Sequence, residues 1–75
     1  MNTKSIRSLR KGAGMTQEEL AGKLGVTVNT VSRWEKGWFI PSPKYIKQMA
    51  DMFGVDGSDI YVASYATKVD NAQKA

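Results

Sequence analysis

Residues 16–37 read TQEELAGKLGVTVNTVSRWEKG, and the order of residue types in this stretch decides the fold. Thr16 followed three positions later by Glu19 is the pattern of a capping box, which opens a helix by pairing otherwise unsatisfied backbone donors. Leu20, Ala21 and Leu24 then recur at helical spacing and predict one buried face. Gly25 ends that helix, and Thr27 offers an N-cap to the next one. Val31 and Trp34, three apart, predict the inward side of a second helix running to Lys36, where Gly37 stops it. Residues 17–36 therefore have the length and turn chemistry of a helix-turn-helix, a unit whose second helix enters the DNA major groove. An ordinary packing hairpin of two helices satisfies the same pattern, so spacing alone leaves both readings open.

Working outward, the same punctuation continues in both directions. Upstream, Ile6, Leu9 and Ala13 share one face of a helix expected from Thr3 to Ala13, with Gly14 as a left-handed cap. Downstream, a loop from Trp38 to Pro41 leads to Ser42 as cap and Pro43 in the first helical turn, where its missing N–H costs nothing. Ile46, Met49, Ala50 and Phe53 form the buried stripe of this fourth helix, closed by Gly54. A fifth is expected from Asp56 to about Ser64, with Asp56 as cap and Asp59 near the positive end of the helix dipole. Ile60, Tyr61, Ala63 and Tyr65 either complete the core or form a dimer seam. Residues 65–75 are mostly small and polar and are expected to fray. No alternating strand pattern, repeat or low-complexity block interrupts the series. The expectation is one all-α domain over residues 1–64 with a polar tail.

Charge is distributed unevenly along the chain. Met1 to Lys47 carries nine basic and three acidic residues, a net of +6, whereas Gln48 to Ala75 carries two basic and four acidic, a net of −2. A basic first half points to a polyanionic partner, although a solvated basic face has the same composition. With neither Cys nor His there is no disulfide framework and no ordinary transition-metal site. The lack of cysteine fits a reducing cytoplasm. No apolar run approaches the ~20 residues of a membrane span, and the N-terminus lacks the apolar region of a signal peptide. A cytoplasmic protein with no membrane contact, metal or cofactor is expected.

The second helix of the pair has an outward side of its own. Val28, Asn29, Ser32 and Arg33 lie opposite Val31 and Trp34, one turn apart. These include types that read base edges, since Asn pairs with adenine N6 and N7 and Arg with guanine O6 and N7. Val28 or the Thr30 methyl has the chemistry to meet a thymine methyl. An ordinary solvent face is the competing reading of the same residues.

The run TQEELAGKLGVTVNTVSRWEKGWFIPSP closely resembles the Cro- and repressor-type (Xre) helix-turn-helix family of phage and bacterial regulators. The similarity extends from about Ile6 to Ile60. It is carried by Thr16-Gln17, Leu20-Ala21, Gly25-Val26, the run Val31 to Glu35, Gly37, and Pro41-Ser42-Pro43. The resemblance implies a compact five-helix, lambda-repressor-like domain that binds double-stranded operator DNA as a homodimer, often to repress transcription. Residue by residue, it implies that Gln17 touches phosphate and sometimes a base, and that Val28, Asn29 and Arg33 read bases, with Thr30 and Ser32 beside them. Thr16, Lys36 and Lys44 match phosphate-approaching positions. Arg10 and Glu35 match a pair that forms a buried ion pair in some members. The chain departs from the pattern just after Gly37, where relatives often have basic or polar residues and this chain has Trp38 and Phe39. Ile40 is expected to turn inward. Trp38 and Phe39 either fold onto the core or form a small apolar patch, a candidate protein interface.

Other function classes fit less well. Catalysis needs convergent groups in a pocket, and this chain has no His or Cys and only scattered carboxylates. Its glycines sit at helix ends rather than in a phosphate-cradling loop. The main competitor to an operator-binding protein is a helix-turn-helix whose principal partner is a polypeptide, as in an antitoxin. Membrane-surface binding is disfavoured, because no helix combines a strongly basic face with a broad aromatic one.

Overall fold

A hydroxyl residue precedes each of the first four helices, and a glycine in the left-handed conformation stands shortly after each of them. A computed structural model describes residues 5–62 and Ser64. In it, α1 (Ile6–Gly12) follows Ser5, α2 (Gln17–Leu24) follows Thr16, α3 (Val28–Glu35) follows Thr27 and α4 (Pro43–Phe53) follows Ser42. A fifth helix, α5, occupies residues 57–62, with Ser64 also helical, and no strand occurs among the described residues. The all-α, five-helix expectation is borne out.

Three of the four hydroxyls act as caps. Ser5 Oγ accepts the Ser8 N–H at 3.0 Å, and Thr27 Oγ1 accepts the Thr30 N–H at 3.2 Å. At Thr16 the capping box is complete: its Oγ1 accepts the Glu19 N–H at 3.0 Å, and its own N–H donates to Glu19 Oε1 at 2.8 Å. Ser42 occupies the cap position but makes no side-chain cap bond, and Pro43 at the first helical position sets the backbone instead.

Each of these helices ends in the same hydrogen-bonded turn. The N–H of the residue after the glycine donates to the carbonyl five positions back: Met15 to Arg10 at 3.1 Å, and Val26 to Ala21, Trp38 to Arg33 and Val55 to Ala50, each at 3.0 Å. This is the Schellman arrangement, in which the residue following the glycine is usually apolar and packs back on the helix. Met15, Val26 and Val55 do so, half-buried against the core.

α1 differs from the sequence expectation in two ways. It starts at Ile6 rather than Thr3, because Ser5 adopts an extended cap conformation. Its inward stripe is Ile6, Leu9 and Arg10, and Ala13 is exposed. Spacing alone put Ala13 inside because it is apolar, but the face that α1 presents to α3 carries Arg10.

The core draws on all five helices: Ile6 from α1; Leu20, Ala21 and Leu24 from α2; Val31 and Trp34 from α3; Met49 and Ala50 from α4; and Ile60 from α5. Ile46 and Phe53 are half-buried at its edge. Tyr45 leans on Trp34, with ring centroids 5.6 Å apart and planes at 45°, a favourable tilted pairing. Ile60 completes the core, whereas Tyr61 is half exposed. The buried Ser64 hydroxyl donates to the Ile60 carbonyl at 2.9 Å. Ala63, Tyr65 and the tail at 65–75 lie outside the described residues.

Leu20 is fully buried at the centre of this core. Leu20→Ala is expected to cost about 2–5 kcal/mol. In a domain of this size that lowers the thermal midpoint by at least about 8 °C, measurable by circular dichroism. A shift of a degree or two would show that the site collapses around the missing side chain.

Candidate nucleic-acid interface

α3 is only eight residues long, too short to persist as a helix by itself in water. It exists because Val31 and Trp34 are buried beneath it, and that burial fixes which side faces out. Val28, Asn29 and Arg33 are exposed, while Thr30 and Ser32 are half-buried beside them. Arg33 lies one turn beyond Asn29, and Ser32 and Lys36 follow Val28 along the same side. From Val28 to Lys36 the edge measures about 12 Å, from a rise of ~1.5 Å per residue, close to the ~12 Å width of the major groove. Thr30 Oγ1 is 3.0 Å from Thr27 Oγ1, which turns its hydroxyl toward the helix start and leaves its methyl for other contacts.

A buried polar network sets the angle of this helix. Arg10 Nε donates to Glu35 Oε2 at 2.6 Å, and Arg10 Nη2 donates to Glu35 Oε1 at 3.2 Å, a two-pronged ion pair between α1 and α3. Both side chains are nearly out of water, 8% and 5% exposed. Arg10 Nη1 donates to the Met15 carbonyl at 2.8 Å, tying in the turn before α2. Gln17 Nε2 donates to Glu35 Oε1 at 3.0 Å, joining the start of α2 to the end of α3. The Glu35 carboxylate, by accepting the hydrogen bond, holds the Arg10 guanidinium above its ordinary pKa, an effect larger than the opposing one of burial. No buried side-chain polar atom among the described residues lacks a partner.

Gln17 therefore contributes to structure, which sequence reasoning missed: one of its amide N–H groups is engaged by Glu35. Around this network lies a shallow cleft of about 360 Å³ lined by Arg7, Arg10, Gln17, Ser32, Glu35 and Lys36. Arg7 was also missed. It is exposed, one turn before Arg10, and brings a further cation to the side from which α3 projects. Thr16 sits at the exposed mouth of α2 with its oxygen accepting in the capping box. Lys44 is exposed in the first turn of α4, its Nζ 5.4 Å from the Tyr45 ring centroid.

The loop after α3 resolves the alternative left open by sequence. Trp38 and Phe39 are 55% and 56% exposed, not folded onto the core, while Ile40 is half-buried and Pro41 buried. Lys36 Nζ lies 4.7 Å from the Trp38 ring centroid. Among the described residues no three His, Cys, Asp or Glu side chains are placed to hold a metal, and no helix is long and apolar enough to cross a membrane.

A short helix held out by its neighbours, with a polar and basic outer edge beside further exposed cations, defines the class of helix-turn-helix proteins. A helix-turn-helix family model matches residues 6–60. The chain is 40% identical over 57 residues to an uncharacterized HTH-type transcriptional regulator of Archaeoglobus fulgidus, covering 76% of this chain and 81% of that protein. It is 32% identical over 75 residues to the cryptic phage CTXphi transcriptional repressor RstR of Vibrio cholerae, covering all of this chain and 67% of the repressor. It is 36% identical over 50 residues to the HTH-type transcriptional activator BcrR of Enterococcus faecalis, covering 67% of this chain but 24% of the activator. No solved structure matches. The chain belongs to the Cro- and repressor-type (Xre) family of helix-turn-helix transcriptional regulators.

The buried network yields a test. Glu35→Gln removes one charge and leaves Arg10 unpaired out of water, at an expected cost on the order of 3–5 kcal/mol. Replacing both partners at once, as Arg10→Met with Glu35→Leu, is expected to recover much of that stability, because no lone charge remains. Thermal melts of the two variants check this, and an unchanged midpoint for Glu35→Gln would show the pair to be solvated.

Proposed function

We propose that this regulator binds double-stranded DNA sequence-specifically as a homodimer and represses transcription, with α3 lying in the major groove. The observation that carries the reading is the outer edge of α3. Asn29 and Arg33, exposed one turn apart on a helix fixed by a buried ion pair, carry the donor and acceptor groups that read adenine and guanine. Val28, 37% exposed, and the Thr30 methyl are the apolar contacts for a thymine methyl, and Ser32 lies between the two turns. Gln17 keeps an amide N–H and its carbonyl for DNA while bonded to Glu35. Thr16, Lys36 and Lys44 meet phosphate.

The dimer has geometric support. The domain measures 31 × 25 × 22 Å, so two copies fit side by side on half-sites one helical turn, about 34 Å, apart. Repression is favoured over activation because the repressor RstR aligns along the whole of this chain, whereas the activator BcrR aligns with 67% of it. A double-stranded DNA target favours a cytoplasmic location.

Selecting bound sequences from a random duplex pool tests site and symmetry together, with a palindromic consensus expected. On the selected site Arg33→Ala or Asn29→Ala is expected to lose about 1–3 kcal/mol of discrimination, while binding to random duplex changes little. Lys44→Ala is expected to do the reverse, weakening both alike and reducing the slope of log affinity against log salt by about one unit. An equal loss on both DNAs for Arg33→Ala would assign Arg33 to phosphate and refute the base-reading role.

A further inference from the structure

The four glycine turns follow one rule with one exception. At Met15, Val26 and Val55 the residue after the glycine is packed into the core. At the α3 turn the equivalent residue is Trp38, the bulkiest side chain available, and it is 55% exposed. The turn itself is not loosened, since the Trp38 N–H still donates to the Arg33 carbonyl at 3.0 Å and the Gly37 N–H to Trp34 at 3.1 Å. Gly37, at φ +78°, supplies the left-handed step that brings Trp38 back beside Lys36, the residue that caps the helix. What its ring meets there is the Lys36 ammonium, 4.7 Å from the centroid.

We propose that Trp38 is a positioning residue for DNA binding, whose ring holds the Lys36 ammonium toward the phosphate backbone. The inference rests on the reading of Lys36 as a phosphate contact. A lysine has a long flexible stem, and fixing its head when DNA arrives costs rotamer entropy. A ring face that already attracts the ammonium reduces that cost. The geometry allows both contacts at once, because a ring occupies one side of an ammonium and leaves its other N–H donors for phosphate oxygens. The Trp38 backbone is fixed by the closing turn of α3, so its ring registers Lys36 to the same helix that bears Asn29 and Arg33. Trp38 thereby acts in place of the basic side chain that a phosphate-facing loop would otherwise carry: it contributes no charge and improves the placement of one already present.

Because phosphate contact is independent of base sequence, the probe is a random-sequence 20-base-pair duplex, titrated by fluorescence anisotropy at several salt concentrations. The proteins are the full chain, W38L, W38F, K36A and the K36A/W38L double variant, each checked for an unchanged melt. W38L is expected to bind about two- to fivefold more weakly, the change that an exposed cation–π contact supports. W38F, which keeps a ring, is expected to restore most of the affinity, and W38L is expected to change nothing once Lys36 is absent. The same loss for W38L in the K36A background would overturn the proposal and place Trp38 against DNA or a second protein directly. So would a loss only in variants whose oligomeric state, read by sedimentation, has changed. A K36A protein with undiminished affinity would remove the Lys36 phosphate contact itself. If K36A weakens binding and W38L does not, that contact stands and the role of Trp38 alone falls.

Discussion

The ion pair between Arg10 and Glu35 is the constraint on which the DNA-facing side of this protein depends. Two opposite charges have been taken out of water, and they are tolerated because every prong of the guanidinium that the structure shows engaged has a defined acceptor: two carboxylate oxygens and the Met15 carbonyl. Such a pair contributes little net stability compared with apolar residues of the same volume, since desolvation cancels most of the attraction. What it imposes is geometry. A lone buried charge is so unfavourable that α1, the turn before α2, and α3 stay in the one arrangement that satisfies both partners. Gln17 extends that arrangement to the start of α2 by bonding the same carboxylate.

The apolar core supplies the stability that this pair does not. α3 holds only two buried apolar side chains, Val31 and Trp34, and apart from Val28 its opposite side is committed to polar and basic residues. A helix of this length owes its existence to tertiary packing rather than to intrinsic propensity. Core and interface are for that reason mechanically linked: a substitution that loosens Leu20 or Val31 also lets the edge bearing Asn29 and Arg33 move. Loss of DNA binding in a core variant reports on the support of α3, and it does not by itself identify a contact.

Helix ends divide the labour differently. The Schellman turns after α1, α2 and α4 send an apolar side chain back to the core, so they close a helix and seal its edge together. The turn after α3 closes the helix but sends its side chain outward, and Phe39 beside it is equally exposed. Ile40 and Pro41 then restore the inward course of the chain toward α4. Trp38 and Phe39 stand exposed where the α3 edge ends, and the Trp38 ring there borders Lys36.

Much of this was determined by the sequence alone, because the signals concerned act over three or four residues. Thr16 with Glu19, Thr27, Pro43 and the glycines at 25, 37 and 54 mark helix limits through local backbone chemistry, and the apolar spacing of Leu20, Leu24, Val31, Trp34, Met49 and Ala50 names the core. The family resemblance follows from the same runs. Contacts between residues distant along the chain were legible only in part. Spacing assigned Ala13 to the interior and gave no reason to bury Arg10, since a charge goes inside only when its partner arrives, and Glu35 is 25 positions away. Gln17 reads as a free surface amide until α3 is folded back beside it. Residue type leaves Trp38 and Phe39 open to core or surface, and only the folded chain shows both exposed. Caps and stripes are written in neighbouring residues, whereas the placement of a charge or an exposed ring depends on what the rest of the chain brings to meet it.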